Sequence, residues 1–217
     1  MSIYIIEHLE PELFPWCILE YKSISKIVGK NNVWFTNIQK KDVAKLSKYG
    51  KVFVESVKEL PNPAACNTYI SKSSFSKTRW VGGRGKEQKL NKKSICILDP
   101  EAPRLLSPKE KFDFLVFGGI LGDNPPRKRT QPELSRFFPE WEKRNIGKAQ
   151  FSTDNAVFVV HEIEKGKKFE KMKFQDGISI KTGKYDSVEL PYLYPLVNNK
   201  GRISRKLVSY IKKHPAF

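Results

Sequence analysis

Asp123 follows three glycines (118, 119 and 122) and precedes three consecutive cations, Arg127, Lys128 and Arg129. All lie in the stretch Lys111 to Thr130, KFDFLVFGGILGDNPPRKRT. Its first half, with Phe112, Phe114, Leu115, Val116 and Phe117, is the short apolar run of a buried strand. Gly118, Gly119 and Gly122 then allow backbone conformations closed to other residues and leave no side chain in a ligand's way. Pro125 and Pro126 stiffen the exit. A glycine turn, a carboxylate and a basic cluster after a strand suit a small ligand gripped at the strand's carboxyl end. A dinucleotide fingerprint is excluded because its second and third glycine positions are Ile120 and Asp123. A phosphate-binding P-loop is excluded because Gly-Lys-Ser/Thr is missing. For the glycines alone, a tight surface turn after a core strand remains the plain alternative.

A second group of carboxylates stands at the N-terminus. Residues 1–21 contain Glu7, Glu10, Glu12 and Glu20 and no Lys or Arg. Glu20 lies four residues after Trp16 and four before Ile24, on the apolar face of a helix expected over Leu13 to Val28. A carboxylate there must be paired, lie at the stripe's edge or serve chemistry. Such a group of acids could admit a cationic side chain. Alternatively, Glu10 and Glu12 only favour a helix N-terminus, where the dipole stabilises negative charge. His8 could position a carboxylate or act as a base, although a lone histidine beside a strand is more often structural.

The string FVFGGILGD-x-PPR-x-RT resembles the SPOUT-class methyltransferase family described as dependent on S-adenosylmethionine. The best-known eukaryotic member of that family is a protein-arginine N-methyltransferase acting on a small-subunit ribosomal protein. Ile5-Ile6-Glu7-His8, Ile18-Leu19-Glu20-Tyr21, Leu98-Asp99-Pro100 and Ser152-Thr153-Asp154 agree, in the same order. The resemblance spans Ile5 to about Tyr194 and is weakest over 60–93 and after Lys200. It implies an α/β fold: a mostly parallel sheet flanked by helices, with a deep C-terminal trefoil knot. It also implies S-adenosylmethionine held by three late loops. The matching residues are Leu98, Asp99 and Pro100; Phe117, Gly118, Gly119, Leu121, Gly122, Arg127 and Thr130; and Ile146, Gly147, Thr153 and Asp154.

An arginine acceptor is cationic, with a pKa of roughly 12 or above, so its nitrogens are poor nucleophiles. Carboxylates can orient it, polarise it and take the proton released once the methyl has moved. Glu7, Glu20 and Asp123 are the candidates, with His8 in support. The resulting expectation is methyl transfer to an arginine of a protein, by resemblance a ribosomal protein. The alternative is a SPOUT-type RNA methyltransferase, and the third reading is a non-catalytic RNA-binding assembly factor.

The elements that must position these residues alternate. Strands are expected at Ser2 to Ile6, Val33 to Thr36, Lys51 to Val54, Ser94 to Leu98 and in the central run, with a short helix near Lys41 to Lys48. A helix is expected over Leu134 to Arg144, interrupted by Pro139, followed by a glycine turn at Asn145-Ile146-Gly147. Ala156 to Val160 has strand propensity, yet Ser152-Thr153-Asp154 is a helix start signal, and the resemblance favours the helix. Strands at Lys173 to Lys181 and Ser187 to Leu190 and a basic helix over Ile203 to Lys213 complete the chain.

At 217 residues a single domain, 1–217, is the default. About 61–93 reads as a flexible basic insertion: residues 71–93 hold eight Lys or Arg against one Glu, with Phe75 and Trp80 interleaved. That composition suits RNA or ribosome contact, or simply a solvated loop. The net charge of +17 and a pI near 9.7 point to an acidic partner or a nucleic-acid-rich neighbourhood. Cys17, Cys66 and Cys96 form no C-x-x-C pair, and histidines number three, so neither a disulfide framework nor a metal site is expected. With no run long enough for a membrane span, the expectation is a cytoplasmic protein, with the nucleus as a second location; the resemblance implies a monomer.

Overall fold

The computed structural model describes residues 2–59 and 94–215. The expected basic insertion at about 61–93, with its RNA-contact residues 71–93, lies outside the described residues.

The first half of the chain lays down β1 (Ile3–His8), α1 (Pro15–Val28), β2 (Val33–Thr36), α2 (Val43–Leu46) and β3 (Lys51–Val52). Then follow β4 (Ile95–Leu98), β5 (Phe114–Gly119), α3 (Thr130–Glu133), β6 (Glu142–Arg144) and α4 (Thr153–Glu164). Strands β1 to β6 form one parallel sheet in the order β3-β2-β1-β5-β4-β6. The chain runs outward from β1 to β3, returns on the other side at β4, and inserts β5 between β1 and β4. The order therefore reverses beside β5, and ligands of open α/β sheets bind outside the carboxyl ends of strands at such a reversal.

Both faces of this sheet are covered, which is why its central strands are almost continuously apolar. On one face Tyr4, Ile6, Phe35, Cys96, Leu115 and Phe117 pack against α1 and α4. Helix α1 buries Cys17, Tyr21, Ile24 and Val28 at helical spacing, and Pro15 starts it, where its missing N–H costs nothing. On the other face Ile5, Trp34, Ile97, Phe114 and Val116 meet Val57, Leu134 and Phe138. The C-terminal part adds an antiparallel sheet, β7 (Phe174–Lys181), β8 (Ser187–Val197) and β9 (Lys200–Gly201), and α5 (Arg205–Lys213). Its Leu190, Tyr192, Leu207 and Ile211 form a third cluster, joined by Trp16 and Leu19 of α1.

The helix expected over 134–144 is not formed. Residues Ser135–Phe137 make one 3-10 turn, and Glu142–Arg144 are β6, paired with Cys96 to Leu98 of β4. Pro139 removes a helical N–H. The Phe138 and Trp141 rings stack at 3.8 Å, and Lys143 Nζ donates to the Phe138 and Trp141 carbonyls at 2.6 and 3.0 Å. Arg144, 4% exposed, is paired with Glu110 and Glu142, so a strand of charged residues is held at the sheet edge. Ala156 to Val160 does lie in a helix, α4, with Ser152 at its N-cap position.

Gly119 shows how closely α1 approaches the sheet. A Cβ built on it would lie 2.3 Å from the Tyr21 hydroxyl oxygen and 3.0 Å from the Glu7 carbonyl oxygen. The glycine therefore serves packing on α1, and the expected role of keeping ligand space open is corrected for this position. Gly119→Ala is expected to lower stability by about 1–3 kcal/mol, the usual cost of overpacking. Adding Tyr21→Phe should recover part of the loss relative to Tyr21→Phe alone. Denaturant unfolding of the four proteins tests this, and an unaltered midpoint for Gly119→Ala would contradict it.

Candidate active site

A cavity of about 410 Å³ opens at the carboxyl ends of β4 and β5. Its walls come from the three expected segments, after β4, after β5 and before α4. Of the residues expected to bind a cofactor, Leu98, Asp99, Pro100, Phe117, Gly118, Leu121, Gly122, Arg127, Thr130, Ile146, Gly147 and Thr153 line it; so does Asp123. Gly119 and Asp154 do not: the first faces Tyr21, the second faces Arg202. Ile120, Lys148, Gln150, Phe151 and Ala156 also line the cavity and are not singled out by the sequence. The places of Ala156 and Phe151, within the first helical turn of α4 and just before it, are the signal that could have found them.

The glycine loop is held from both ends of the chain. Glu10 accepts from the Leu121 N–H at 2.9 Å and from Arg129 at 2.8 Å. Arg129 is gripped as well by Glu133, and the two carboxylates raise its pKa, Glu133 first. From the other side, Tyr192 donates to the Gly122 carbonyl at 3.1 Å and Gln150 to the Asp123 carbonyl at 3.2 Å. A Cβ on Gly122 would meet Tyr192 at 2.4 Å and Gln150 at 2.7 Å, so this glycine admits the supports of its own loop. Asp99 closes the turn after β4: it accepts from the Glu101 N–H at 2.9 Å and from Ser135 at 2.5 Å. Asn145 joins that turn to the third segment, donating to the Ala102 carbonyl at 2.8 Å and accepting from the Gly147 N–H at 3.0 Å. Gly147 has φ +92°, a left-handed conformation that glycine adopts without strain.

The four expected catalytic groups do not converge. Glu7 is completely buried and reaches Thr36, Ser56 and the Val57 N–H through 2.5, 2.5 and 3.0 Å hydrogen bonds. Three donors satisfy a buried carboxylate, so Glu7 ties β1 to β2 and to the segment after β3. It also leaves the sheet on the side of Val57, opposite to α1, so Glu7 and Glu20 cannot share one acidic pocket. His8 bonds the Tyr21 hydroxyl at 2.8 Å through Nδ1. Burial lowers its pKa, outweighing the raising effects of the Glu12 backbone and of Glu10 and Asp42, which favours a neutral ring. Asp123 alone of the four lines the cavity, and the exposed Arg127 side chain stands 3.7 Å from its carboxylate.

Glu20 lies immediately behind the wall. It accepts from Trp16 Nε1 at 2.7 Å and from the Thr153 N–H, the first turn of α4, at 3.1 Å. Burial, together with the neighbouring Asp154 charge, pushes its carboxyl up to about 8, against the lowering effect of those two donors. Its expected place on the apolar face of α1 is observed, with the side chain 4% exposed. Because the folded pKa is raised above the ordinary value of 4.5, the favourable contribution is complete below about 4.5 and is lost as pH rises toward about 8. The stability of the protein relative to Glu20→Gln should therefore fall across that window, by at most roughly 1.4 kcal/mol per pH unit. Urea unfolding of both proteins between pH 5 and 8.5 measures it, and a pH-independent difference would refute it.

Comparison with known proteins gives one family. Residues 3–216 match the SFM1-like family, described as protein arginine N-methyltransferase SFM1-like. Protein arginine N-methyltransferase SFM1 of Saccharomyces cerevisiae is 32% identical over 98% of this chain and 95% of its own length. The crystal structure of the yeast arginine methyltransferase SFM1 with SAM superposes with a TM-score of 0.79 at 32% identity, covering 98% of this chain and 90% of the other. The same yeast enzyme with SAH gives 0.77 at 30%, covering 97% and 94%. The dual-specific Trm10 of Thermococcus kodakaraensis shares the fold alone, with a TM-score of 0.52 at 12% identity over 79% of this chain and 96% of that one. The chain belongs to the SFM1-like family of protein arginine N-methyltransferases.

Proposed function

We propose that this protein methylates an arginine side chain of a ribosomal protein, with S-adenosylmethionine as donor, in the cavity at the carboxyl ends of β4 and β5. The observation that carries the reading is the coincidence of that cavity with the three segments that resemble the family's cofactor loops. The yeast relative, 32% identical, has been crystallised with SAM.

The cavity suits such a donor. Its volume of about 410 Å³ lies in the range of small-molecule sites. Leu98, Phe117, Ile146 and Phe151 offer apolar walls for a purine, and Asp99 and Thr153 offer polar groups. When bound, S-adenosylmethionine supplies an electrophilic methyl group on a sulfonium. Asp123 Oδ1 and Oδ2 can accept N–H bonds from the incoming guanidinium, fixing one nitrogen in line and offsetting two cations brought together. Transfer leaves one proton to be released from the methylated nitrogen, and Asp123, a carboxylate lining the cavity, can receive it. Arg127, beside Asp123, must yield its place to the substrate's guanidinium.

The rest of the reading follows the family: a single domain over residues 1–217, a trefoil knot through the three late loops, a monomer, and a cytoplasmic setting near ribosomes. Support for the ribosomal substrate is the resemblance noted in the sequence. The test is incubation with labelled S-adenosylmethionine and either purified small-subunit ribosomal proteins or deproteinised rRNA. Methylarginine in a protein band is expected, and label confined to RNA would overturn the proposal. Asp123→Asn should lower single-turnover methylation of an arginine peptide by about 10²-fold. Its cofactor affinity, followed by calorimetry, should stay within a few-fold of wild type; full activity would remove Asp123 from the mechanism.

A further inference from the structure

Away from the cavity, lysines from three separated stretches meet on one face. Lys22 and Lys26 stand on the outer side of α1, Lys48 in the turn after α2 and Lys206 in the first turn of α5. The Nζ atoms of Lys22 and Lys48 lie 5.5 and 5.1 Å from the centre of the Tyr49 ring. Burial would raise the Tyr49 phenol, but the ammonium groups of Lys48 and Lys22 beside its hydroxyl outweigh this and lower it. Helix α5, which carries Lys206, packs against α1, and the ammonium groups of Lys22, first, and Lys26 hold that of Lys206 below the usual lysine range.

No carboxylate pairs with any of these four lysines among the described residues. The surrounding sequence supplies almost none. Residues 22–51 contain eight Lys and a single acid, Asp42, which is 2% exposed and bound to Lys45. Residues 202–214 contain Arg202, Arg205, Lys206, Lys212 and Lys213 and no Asp or Glu. One surface glutamate would relieve the crowding, yet the fold brings like charges together from positions up to 184 apart in sequence. A bound polyanion offsets that repulsion and releases its own counterions in doing so.

The chemistry of the face narrows the polyanion. A membrane surface would engage the apolar side of α5, but its Leu207 and Ile211 are buried against Trp16 and Leu19. An acidic protein segment would be met best by arginine forks, whereas lysine is a point charge suited to phosphates. Helices α1 and α5 are both packed along one side, so neither can enter a deep groove. The wide, shallow minor groove of A-form RNA instead sets two rows of phosphates against a flat surface. We propose that the face formed by Lys22, Lys26, Lys48 and Lys206, with Tyr49 at its centre, docks the phosphate backbone of double-stranded RNA. This site is separate from the methylation cavity and does not depend on the reading of that cavity.

The test uses the full chain and a fluorescent RNA hairpin with a 20-base-pair stem, titrated between 50 and 300 mM salt. Replacing all four lysines with glutamine should weaken binding on the order of 10-fold or more and reduce the slope of log K against log salt by roughly 3. The corresponding Lys→Arg variant should keep both. Glutamine removes repulsion, so melting should be unchanged or higher; if the quadruple variant unfolds early, Lys48→Gln and Lys206→Gln singly should each lower the slope by roughly 1. Methylation of a short arginine peptide should be unaffected, which separates failure of this site from failure of the catalytic reading. An unaltered affinity and slope would overturn the proposal. So would binding of a polyglutamate peptide, or of a DNA duplex of the same sequence, as tight as that of the hairpin.

Discussion

Two carboxylates, Glu20 and Asp154, are buried side by side, and the walls of the cavity depend on what offsets them. Arg202 supplies the cation. Its guanidinium reaches Asp154 at 2.9 Å, Asn155 at 2.7 Å and Ser23 at 2.8 Å, and lies over the Phe158 ring at 4.9 Å. Glu20 completes the arrangement by accepting from Trp16 and from the first turn of α4. One polar network thus binds α1, α4 and the segment after β9. Taking away one member of a buried ion pair commonly costs roughly 3–5 kcal/mol, because the remaining charge is left without a partner. Thr153, which lines the cavity, is carried on the helical turn that this network holds.

The glycine loop obeys the same logic at its main chain. Its N–H and carbonyl groups are bonded by Glu10, Tyr192 and Gln150, from segments far apart in sequence. The cavity therefore forms only when the N-terminal loop, the inserted strand β5 and the C-terminal hairpin are all in place. Against this rigid frame, the Arg127–Asp123 pair is weak: it spans 3.7 Å, and Arg127 is 75% exposed. Such surface pairs contribute about 0–1 kcal/mol, so another guanidinium can replace Arg127 at little cost.

What is legible in the sequence is local. The strand run of β5, the apolar stripe of α1 with Glu20 on it, and the Ser152 start of α4 are patterns within one element, and each lies where expected. The glycine loop with Asp123 and Arg127 is legible locally as a ligand site, but its partners in the cavity are legible only through resemblance, since nothing local says that Leu98, Phe117 and Ile146 meet. Glu7 is misread from the sequence because its partners Thr36, Ser56 and Val57 are 29, 49 and 50 positions away. Alternation along β1 places it on the face opposite α1, but only the packing of both faces shows what that separation means. Gly119 is misread for a related reason: Tyr21, the group it accommodates, lies 98 residues earlier. Over 134–144 the error is one of propensity, since a helical pattern carries through Pro139, where stacking of Phe138 on Trp141 and pairing with β4 decide otherwise.

The distribution of charge reconciles a cationic substrate with a basic protein. The chain carries +17 overall, which by itself opposes an arginine-rich partner. At physiological salt, however, exposed charges are screened over about 8 Å, so distant lysines act weakly at the cavity. The field there is set by its own lining, where Asp99, Glu101 and Asp123 stand among Arg127, Lys128, Arg129 and Lys148, with Asp123 paired to Arg127 and Glu101 to Lys128. Arg127 and Lys128 are exposed and exchangeable, whereas the Asp154–Arg202 pair behind the wall is held in place. Among the described residues no carboxylate pairs with Lys22, Lys26 or Lys206 on α1 and α5, which is the repulsion that the proposed RNA contact would offset. On the two proposals above, the Asp123 carboxylate meets the substrate guanidinium in the cavity, while the lysines of a separate outer face meet RNA phosphates.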